Sequence, residues 1–166
     1  MHNFDTLFLD RDGVINKKLE RRYIRNFSEF EFMPGALKAI SKLSNVFTRI
    51  IIVTNQQGIS KGIMSEADLN TLHTQMQERI EKLGGKINKI YYCPHLEESD
   101  CLCRKPKSGM IQRAIVDSPE IIIENSYIVG DSDSDIEAGT RMNLNTVKVD
   151  DDYTLAKWTS NLLVGI

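Results

Sequence analysis

Long apolar runs, an excess of one charge and paired cysteines are all missing from this sequence, and each absence removes a class of protein. No stretch approaches the roughly 20 apolar residues of a membrane-crossing helix, and the opening MHNFDTLFLD has neither the basic start nor the apolar core of a secretory leader. A cytoplasmic protein without a membrane partner is expected. With 21 basic and 23 acidic residues the formal charge is -2, so no global positive field draws nucleic acid and any phosphate must be held by locally placed groups. There is no G-x-x-x-x-G-K-[ST] loop, which disfavours a nucleotide kinase. The cysteines are only Cys93, Cys101 and Cys103, an odd number crowded into eleven residues. That excludes a disulfide framework and points to a metal. Repeats, linkers and low-complexity tracts are absent too, and 166 residues at 41% hydrophobic and 27% charged read as one monomeric domain, 1–166, large enough to bury a core.

What the chain does have is alternation. FDTLFLDRDGVIN, Phe4 to Asn16, is an apolar strand that stops at two carboxylates, Asp10 and Asp12, followed by Gly13. Lys17 to Phe32 shows no clean period and reads as an irregular flap. Pro34 and Gly35 open a short helix, PGALKAISKLSN. Arg49 to Asn55 is a second buried strand. Ser65 to Leu83 is a helix with a serine cap, one face formed by Leu69, Leu72, Met76, Ile80 and Leu83, and a stop at Gly84-Gly85. A third strand spans Ile87 to Cys93, a helix Ser108 to Val116, a fourth strand Tyr127 to Gly130, a helix Asp133 to Met142, and a fifth strand Thr146 to Val149; the tail beyond is left unassigned. Strands alternating with helices imply an α/β fold with a mainly parallel sheet and right-handed crossovers.

In such a sheet the carboxyl ends of the strands share one rim, where ligands bind. Asp10 and Asp12, then Thr54 and Asn55, then Asp131 with Asp133 and Asp135 all fall there. Each group alone is an ordinary turn or helix cap; their convergence is what signals chemistry. Two neighbouring carboxylates demand a cation, and Mg2+ held by Asp10, Asp12 (through its backbone carbonyl) and Asp131 answers that demand. Asp135 is expected to support the metal, with Asp133 as the alternative. Asp10 would attack phosphorus to form an aspartyl-phosphate, and Asp12 would protonate the leaving alcohol and later accept a proton from water. Thr54 and Asn55 would donate to the phosphoryl group, Gln56 would join the substrate contacts, and Lys105 would supply the opposing cation.

Cys93-Pro-His95 and Cys101-Leu-Cys103 make three sulfurs and an imidazole, a complete tetrahedral set for Zn2+ that leaves no open position. The expected task is structural: to order a loop with few apolar residues, directly ahead of Arg104 and Lys105. His2, terminal, and His73, assigned to the polar side of its helix, carry no role.

FLDRDGVIN, IIVTNQQG, the lysine of CRKP and VGDSDSD together resemble the four motifs of the haloacid dehalogenase superfamily of phosphatases. CPHLEESDCLCRKPKSGM resembles the zinc loop of the D-glycero-D-manno-heptose 1,7-bisphosphate 7-phosphatases, shared with the histidinol-phosphate phosphatases. The resemblance implies a Rossmann-like three-layer domain without a large cap, a requirement for Mg2+, Asp10 as nucleophile, Asp12 as acid/base and Arg104 as a substrate contact. It implies release of the 7-phosphate of a heptose bisphosphate on the way to lipopolysaccharide or another bacterial surface polysaccharide. Histidinol-phosphate hydrolysis is the nearest alternative, and a zinc-stabilised module that binds phosphorylated ligands without turnover is the alternative from another class. The superfamily's DNA 3'-phosphatases share the chemistry, but no basic track for a strand is evident. Gln57, Ile63-Met64 and the basic flap Lys17 to Arg25 depart from the heptose phosphatase pattern at the substrate end.

Overall fold

Strand β1, Phe4–Leu9, is the centre of a five-stranded sheet. The computed structural model describes residues 4–166, so His2 lies outside the described residues. After β1 the chain forms α1 (Ala36–Val46), β2 (Phe47–Asn55), α2 (Glu66–Lys82), β3 (Lys89–Cys93), α3 (Gly109–Asp117), β4 (Tyr127–Gly130), α4 (Asp133–Arg141), β5 (Asn145–Lys148) and α5 (Leu155–Val164). The sheet order is β3-β2-β1-β4-β5 and every pairing is parallel. Leu9 pairs with Ile52 on one side and Val129 on the other, so β1, β2 and β4 run out to a common rim.

Alternation along β1 divides the core. Leu7 and Leu9 face α1, α2 and α5 through Ile40, Leu43, Leu69, Leu72, Met76, Ile80, Leu155 and Trp158. Phe8 faces the other way, with Ile51, Val53 and Ile128, onto Met110, Ile111 and Ala114 of α3 and Ala138 of α4. Both faces of the sheet are therefore covered, which is why its strands read as continuous apolar runs. Each such side chain buried from water contributes about 1.5–3 kcal/mol.

Helix α2 begins as expected: the Ser65 hydroxyl accepts from Asp68 N at 3.0 Å and the Asp68 carboxylate accepts from Ser65 N at 2.9 Å. Its buried face differs from the expected one. His73 lies four residues after Leu69 and three before Met76, on the apolar stripe, and is buried, whereas Leu83 caps the helix end and is 54% exposed. The unassigned tail is α5, capped by Thr154, whose Trp158 packs edge-on against Tyr127 at 5.9 Å. The flap between Asn16 and Pro34 is irregular apart from one turn at Phe27–Glu29, and Phe27, Phe30 and Phe32 stack among themselves to hold it. Among the described residues no helix is long and apolar enough to cross a membrane.

Candidate active site

Asp10 leaves β1 with its amide donating to the Val129 carbonyl at 3.0 Å, which points its side chain over the rim. Its Oδ1 accepts from Arg11 N at 2.9 Å and from Lys105 Nζ at 3.0 Å. The chain then turns through Gly13, whose φ of 87° suits glycine. A methyl group there would stand 2.2 Å from Asp131 Oδ2, so the missing side chain is what lets Asp131 approach.

One carboxylate oxygen from each of Asp10, Asp131 and Asp135 lies within 4.8 Å of the others. Asp131 Oδ1 is buried without a hydrogen-bond partner. Asp135 caps α4, accepting from Ser132 N at 3.1 Å and Ser132 Oγ at 2.9 Å, and its other oxygen accepts from Lys105 Nζ. Asp133 points outward, 95% exposed and paired with Lys148, away from this group. Burial pushes Asp10 up to about 8 despite the opposing charge of Lys105, and Asp135, Asp12 and Asp131 add to the rise. Asp131 is raised as well, by burial. Three hard oxygen donors held this close, one of them unsatisfied, fit a divalent cation.

Lys105 is enclosed. Burial alone would discharge it, but Asp10 and Asp135 outweigh burial and keep its pKa above the usual lysine value. Nζ also donates to the Val53 carbonyl at 2.8 Å. Asn55 fixes the backbone behind it: its amide oxygen accepts from Lys105 N at 3.1 Å and its amide nitrogen donates to Lys105 O at 3.2 Å. The amide read from sequence as a phosphoryl donor is thus engaged with the Lys105 peptide. Thr54 is fully buried, its hydroxyl accepting from Gln56 Nε2 at 2.9 Å. The same Gln56 nitrogen donates to Asp12 Oδ2 at 2.9 Å.

Asp12 is set differently from Asp10. Burial would raise it, yet the Arg11 guanidinium and hydrogen bonds from Asn16, Arg11 and Gln56 hold it below the usual carboxylate range. Arg11 Nη2 donates to Asp12 Oδ1 at 2.8 Å and Asn16 Nδ2 to the same oxygen at 2.9 Å. Two carboxylates two residues apart with their proton affinities pushed in opposite directions are a pair that can divide roles. Arg11, Asn16 and His73 were not read from the sequence as site residues. For His73 the 69–73–76–80 spacing was the available signal; for Arg11, between two acids, the sequence gives none.

Asp10, Asp12, Asp131 and Asp135 line a cavity of about 470 Å3, together with Asn55, Gln56, Arg104 and Lys105. Lys18, Arg21, Arg22 and Lys61 add basic groups to the lining beside Arg104, whose Nη1 is buried and unpartnered. Lys18 Nζ comes within 3.8 Å of Asp131. Gln57 ties the lips together, donating to Tyr23 Oη at 2.9 Å and accepting from Glu97 N at 3.3 Å.

Beside the rim, Cys93 ends β3 and meets Cys103 Sγ at 2.8 Å, His95 Nδ1 at 3.4 Å and Cys101 Sγ at 3.6 Å; His95 Nδ1 is 3.2 Å from Cys103. All four donor atoms lie within 4.8 Å of one another. Burial opposes ionisation of Cys101, but the Arg104 N–H and the Ser99 hydroxyl bring it down to about 6, while burial pushes Cys93 up. Three sulfurs and one ring nitrogen converging in this way are a donor set suited to a tetrahedral metal.

A parallel sheet whose central strand ends in the acid pair Asp10 and Asp12 at an acidic rim has the arrangement of phosphatases of the haloacid dehalogenase type. The family described as polynucleotide kinase 3 phosphatase matches residues 4–164. A D-glycero-alpha-D-manno-heptose-1,7-bisphosphate 7-phosphatase of Mycobacterium tuberculosis is 41% identical over 131 residues, covering 79% of this chain and 69% of that protein. A D-glycero-beta-D-manno-heptose-1,7-bisphosphate 7-phosphatase of Pseudomonas putida is 39% identical over 143 residues, covering 86% and 81%. The crystal structure of D,D-heptose 1,7-bisphosphate phosphatase from B. bronchiseptica, complexed with magnesium and phosphate, superposes with a TM-score of 0.89 at 27% identity over 98% of this chain and 99% of that one. The chain belongs to this family of haloacid dehalogenase phosphatases, and it is an enzyme.

Proposed function

We propose that the enzyme removes the 7-phosphate of D-glycero-D-manno-heptose 1,7-bisphosphate, in the cytoplasm, on a route to bacterial surface polysaccharide. The observation that carries this reading is the cavity lining, which sets beside the carboxylates and Lys105 a further group of basic residues, Lys18, Arg21, Arg22, Lys61 and Arg104, more positive charge than one phosphate needs. A substrate with two phosphates matches that charge. Histidinol phosphate would instead bring an ammonium group among these basic residues. The names of the M. tuberculosis and P. putida relatives agree with this choice.

In this reading Asp10 attacks phosphorus, the bond to the sugar oxygen breaks, and that oxygen takes a proton from Asp12. Substrate binding brings a dianion beside Asp12, which offsets Arg11 and favours the protonated form the first step needs. Water then attacks the aspartyl-phosphate, gives its proton to Asp12, and inorganic phosphate leaves as the Asp10–phosphorus bond breaks. Lys105, backed by Asn55, balances charge on the phosphoryl oxygens, and Thr54 holds Gln56 toward Asp12. Asp10, Asp131 and the backbone carbonyl of Asp12 would hold Mg2+, with Asp135 in support; the ion supplies charge neutralisation between carboxylate and phosphate. The unsatisfied Asp131 Oδ1 is the feature that suits it. Cys93, His95, Cys101 and Cys103 would hold Zn2+ and order the segment that delivers Arg104 and Lys105.

The test is phosphate release from a panel: both anomers of the heptose 1,7-bisphosphate, the heptose 7-phosphate, histidinol phosphate and a 3'-phosphorylated oligonucleotide. The bisphosphate should exceed the monophosphates in kcat/KM by at least about tenfold, the worth of one charged contact of about 1.5–3 kcal/mol. A preference for histidinol phosphate or for the oligonucleotide would overturn the assignment.

Gly13→Ala bears on the cation. The added methyl meets Asp131 at 2.2 Å and the φ is strained, so the aspartate has to retreat. A cost of about 1–3 kcal/mol should raise the Mg2+ concentration for half-maximal rate about tenfold to a hundredfold. An unchanged Mg2+ requirement would remove Asp131 from the metal set.

A further inference from the structure

The guanidinium of Arg11 is completely buried beneath the active site, 0% exposed. Nη2 holds Asp12, Nη1 meets Nε2 of His73 at 3.1 Å, and the Phe30 ring lies 5.8 Å from its central carbon. Nε has no partner. An arginine has only donors, so the His73 ring must accept at Nε2, which requires the neutral tautomer carrying its proton on Nδ1. His73 itself is 4% exposed, and burial with Arg11 beside it brings its pKa down to about 3, so it stays an acceptor at any working pH.

A guanidinium gripped at both ends is fixed in direction as well as in place. It carries that direction to Asp12 Oδ1, which Asn16 shares, while Gln56 fixes Oδ2. Every bond that aims the Asp12 carboxylate is then accounted for, and the longest chain among them ends on α2, an element that contributes nothing else to the rim. We infer that His73 is a positioning residue for the acid/base step: it anchors Arg11, and Arg11 aims Asp12 at the leaving oxygen. This rests on the reading of Asp12 as the acid/base.

The consequence is selective. A sugar alkoxide leaves only if Asp12 delivers a proton, whereas 4-nitrophenolate departs without one. Misaiming Asp12 should therefore slow hydrolysis of a sugar phosphate and spare 4-nitrophenyl phosphate, and the ratio of the two kcat/KM values is independent of how much of a preparation is folded. His73→Leu, which leaves Nη1 unpaired, is expected to lower kcat/KM for the sugar phosphate about tenfold to a hundredfold, part of the 10²–10⁴ that a positioned acid contributes, and kcat/KM for 4-nitrophenyl phosphate less than about threefold. His73→Gln, whose amide oxygen can accept from Arg11, should restore most of the ratio. If the leucine variant proves too unstable to assay, His73→Asn, with an amide too short to reach, serves the same comparison. Equal losses on both substrates, or failure of glutamine to do better than leucine, would overturn the inference. Asp12→Asn runs alongside: a loss that is the same for both substrates there overturns the acid/base reading itself, whereas a selective loss there with none in the His73 variants overturns only the role of His73.

Discussion

Asp10→Asn is expected to lower phosphate release by roughly 10⁴-fold or more, the scale seen when a covalent nucleophile is removed, while leaving the protein folded. The substitution is isosteric, and an asparagine Oδ1 can still accept from Arg11 N and Lys105 Nζ, the two donors that meet it at 2.9 and 3.0 Å. What it cannot do is form the acyl-phosphate. Lys105 keeps its bond to Asp135, so no buried cation is left alone. Removing a carboxyl that burial pushes up to about 8 also relieves crowding among Asp10, Asp131 and Asp135, so the melting temperature without added metal should match or exceed that of the wild type. The check is Mg2+-dependent phosphate release from the heptose bisphosphate, read against thermal unfolding of both proteins. A variant within tenfold of wild type would place the nucleophile elsewhere. Equal and negligible rates from both would favour a phospholigand-binding module.

Much of this site is legible in the sequence because it is built at strand ends. A central parallel strand carries an apolar run, here Leu7–Leu9, and the acid that follows the run marks its end, so the ends of Phe4–Leu9 and Tyr127–Gly130 are legible almost to the residue. The cysteine cluster is local and equally plain. What escapes is whatever depends on pairing between distant segments. Arg11 is of a type that defaults to the surface, and its bonds to Asp12 and to His73, far off in the chain, are what accompany its burial. Asn55 looks free at the end of β2, but its amide is taken by the Lys105 peptide, which no local pattern announces. Asp133 and Asp135 are indistinguishable in DSDSD until the turn of α4 sends one to the rim and the other to Lys148. Helix α5 is short and follows an acidic loop, and its assignment comes from burial of Leu155 and Trp158 against the sheet rather than from a long period.

Loss of the cysteine-cluster metal is expected to disable catalysis without touching a reacting group. The segment from Cys93 to Lys105 has one turn at Glu97–Ser99 and otherwise irregular backbone, and Leu102 is exposed rather than packed. Between its two ends, Cys93 in β3 and Lys105 in the site, its hydrogen bonds to the body of the protein are few: Gln57 on Glu97, the Ser60 hydroxyl on the Pro94 carbonyl at 2.5 Å, and Gly109 N on the Leu102 carbonyl at 3.0 Å. On the proposed reading such a loop would be ordered by a bound metal, whose binding energy would then be folding energy, about 10–16 kcal/mol in isolated zinc modules. Cys101 is the residue to change, because it is only partly buried and Cys101→Ser adds little polar burial. The purified wild type should carry one zinc per chain by mass spectrometry, and the variant substantially less. With Lys105 no longer delivered to Asp10, the rate should fall about 10²–10³-fold, the cost of removing one preorganised electrostatic contact, and backbone amides from Glu97 to Lys107 should exchange rapidly. Added Mg2+ should restore nothing, since the carboxylates of Asp10 and Asp131 are intact, whereas Zn2+ added back to chelated wild type should restore both rate and protection. A zinc-free preparation with full activity and a protected loop would show that the cysteines and His95 hold the segment by packing alone.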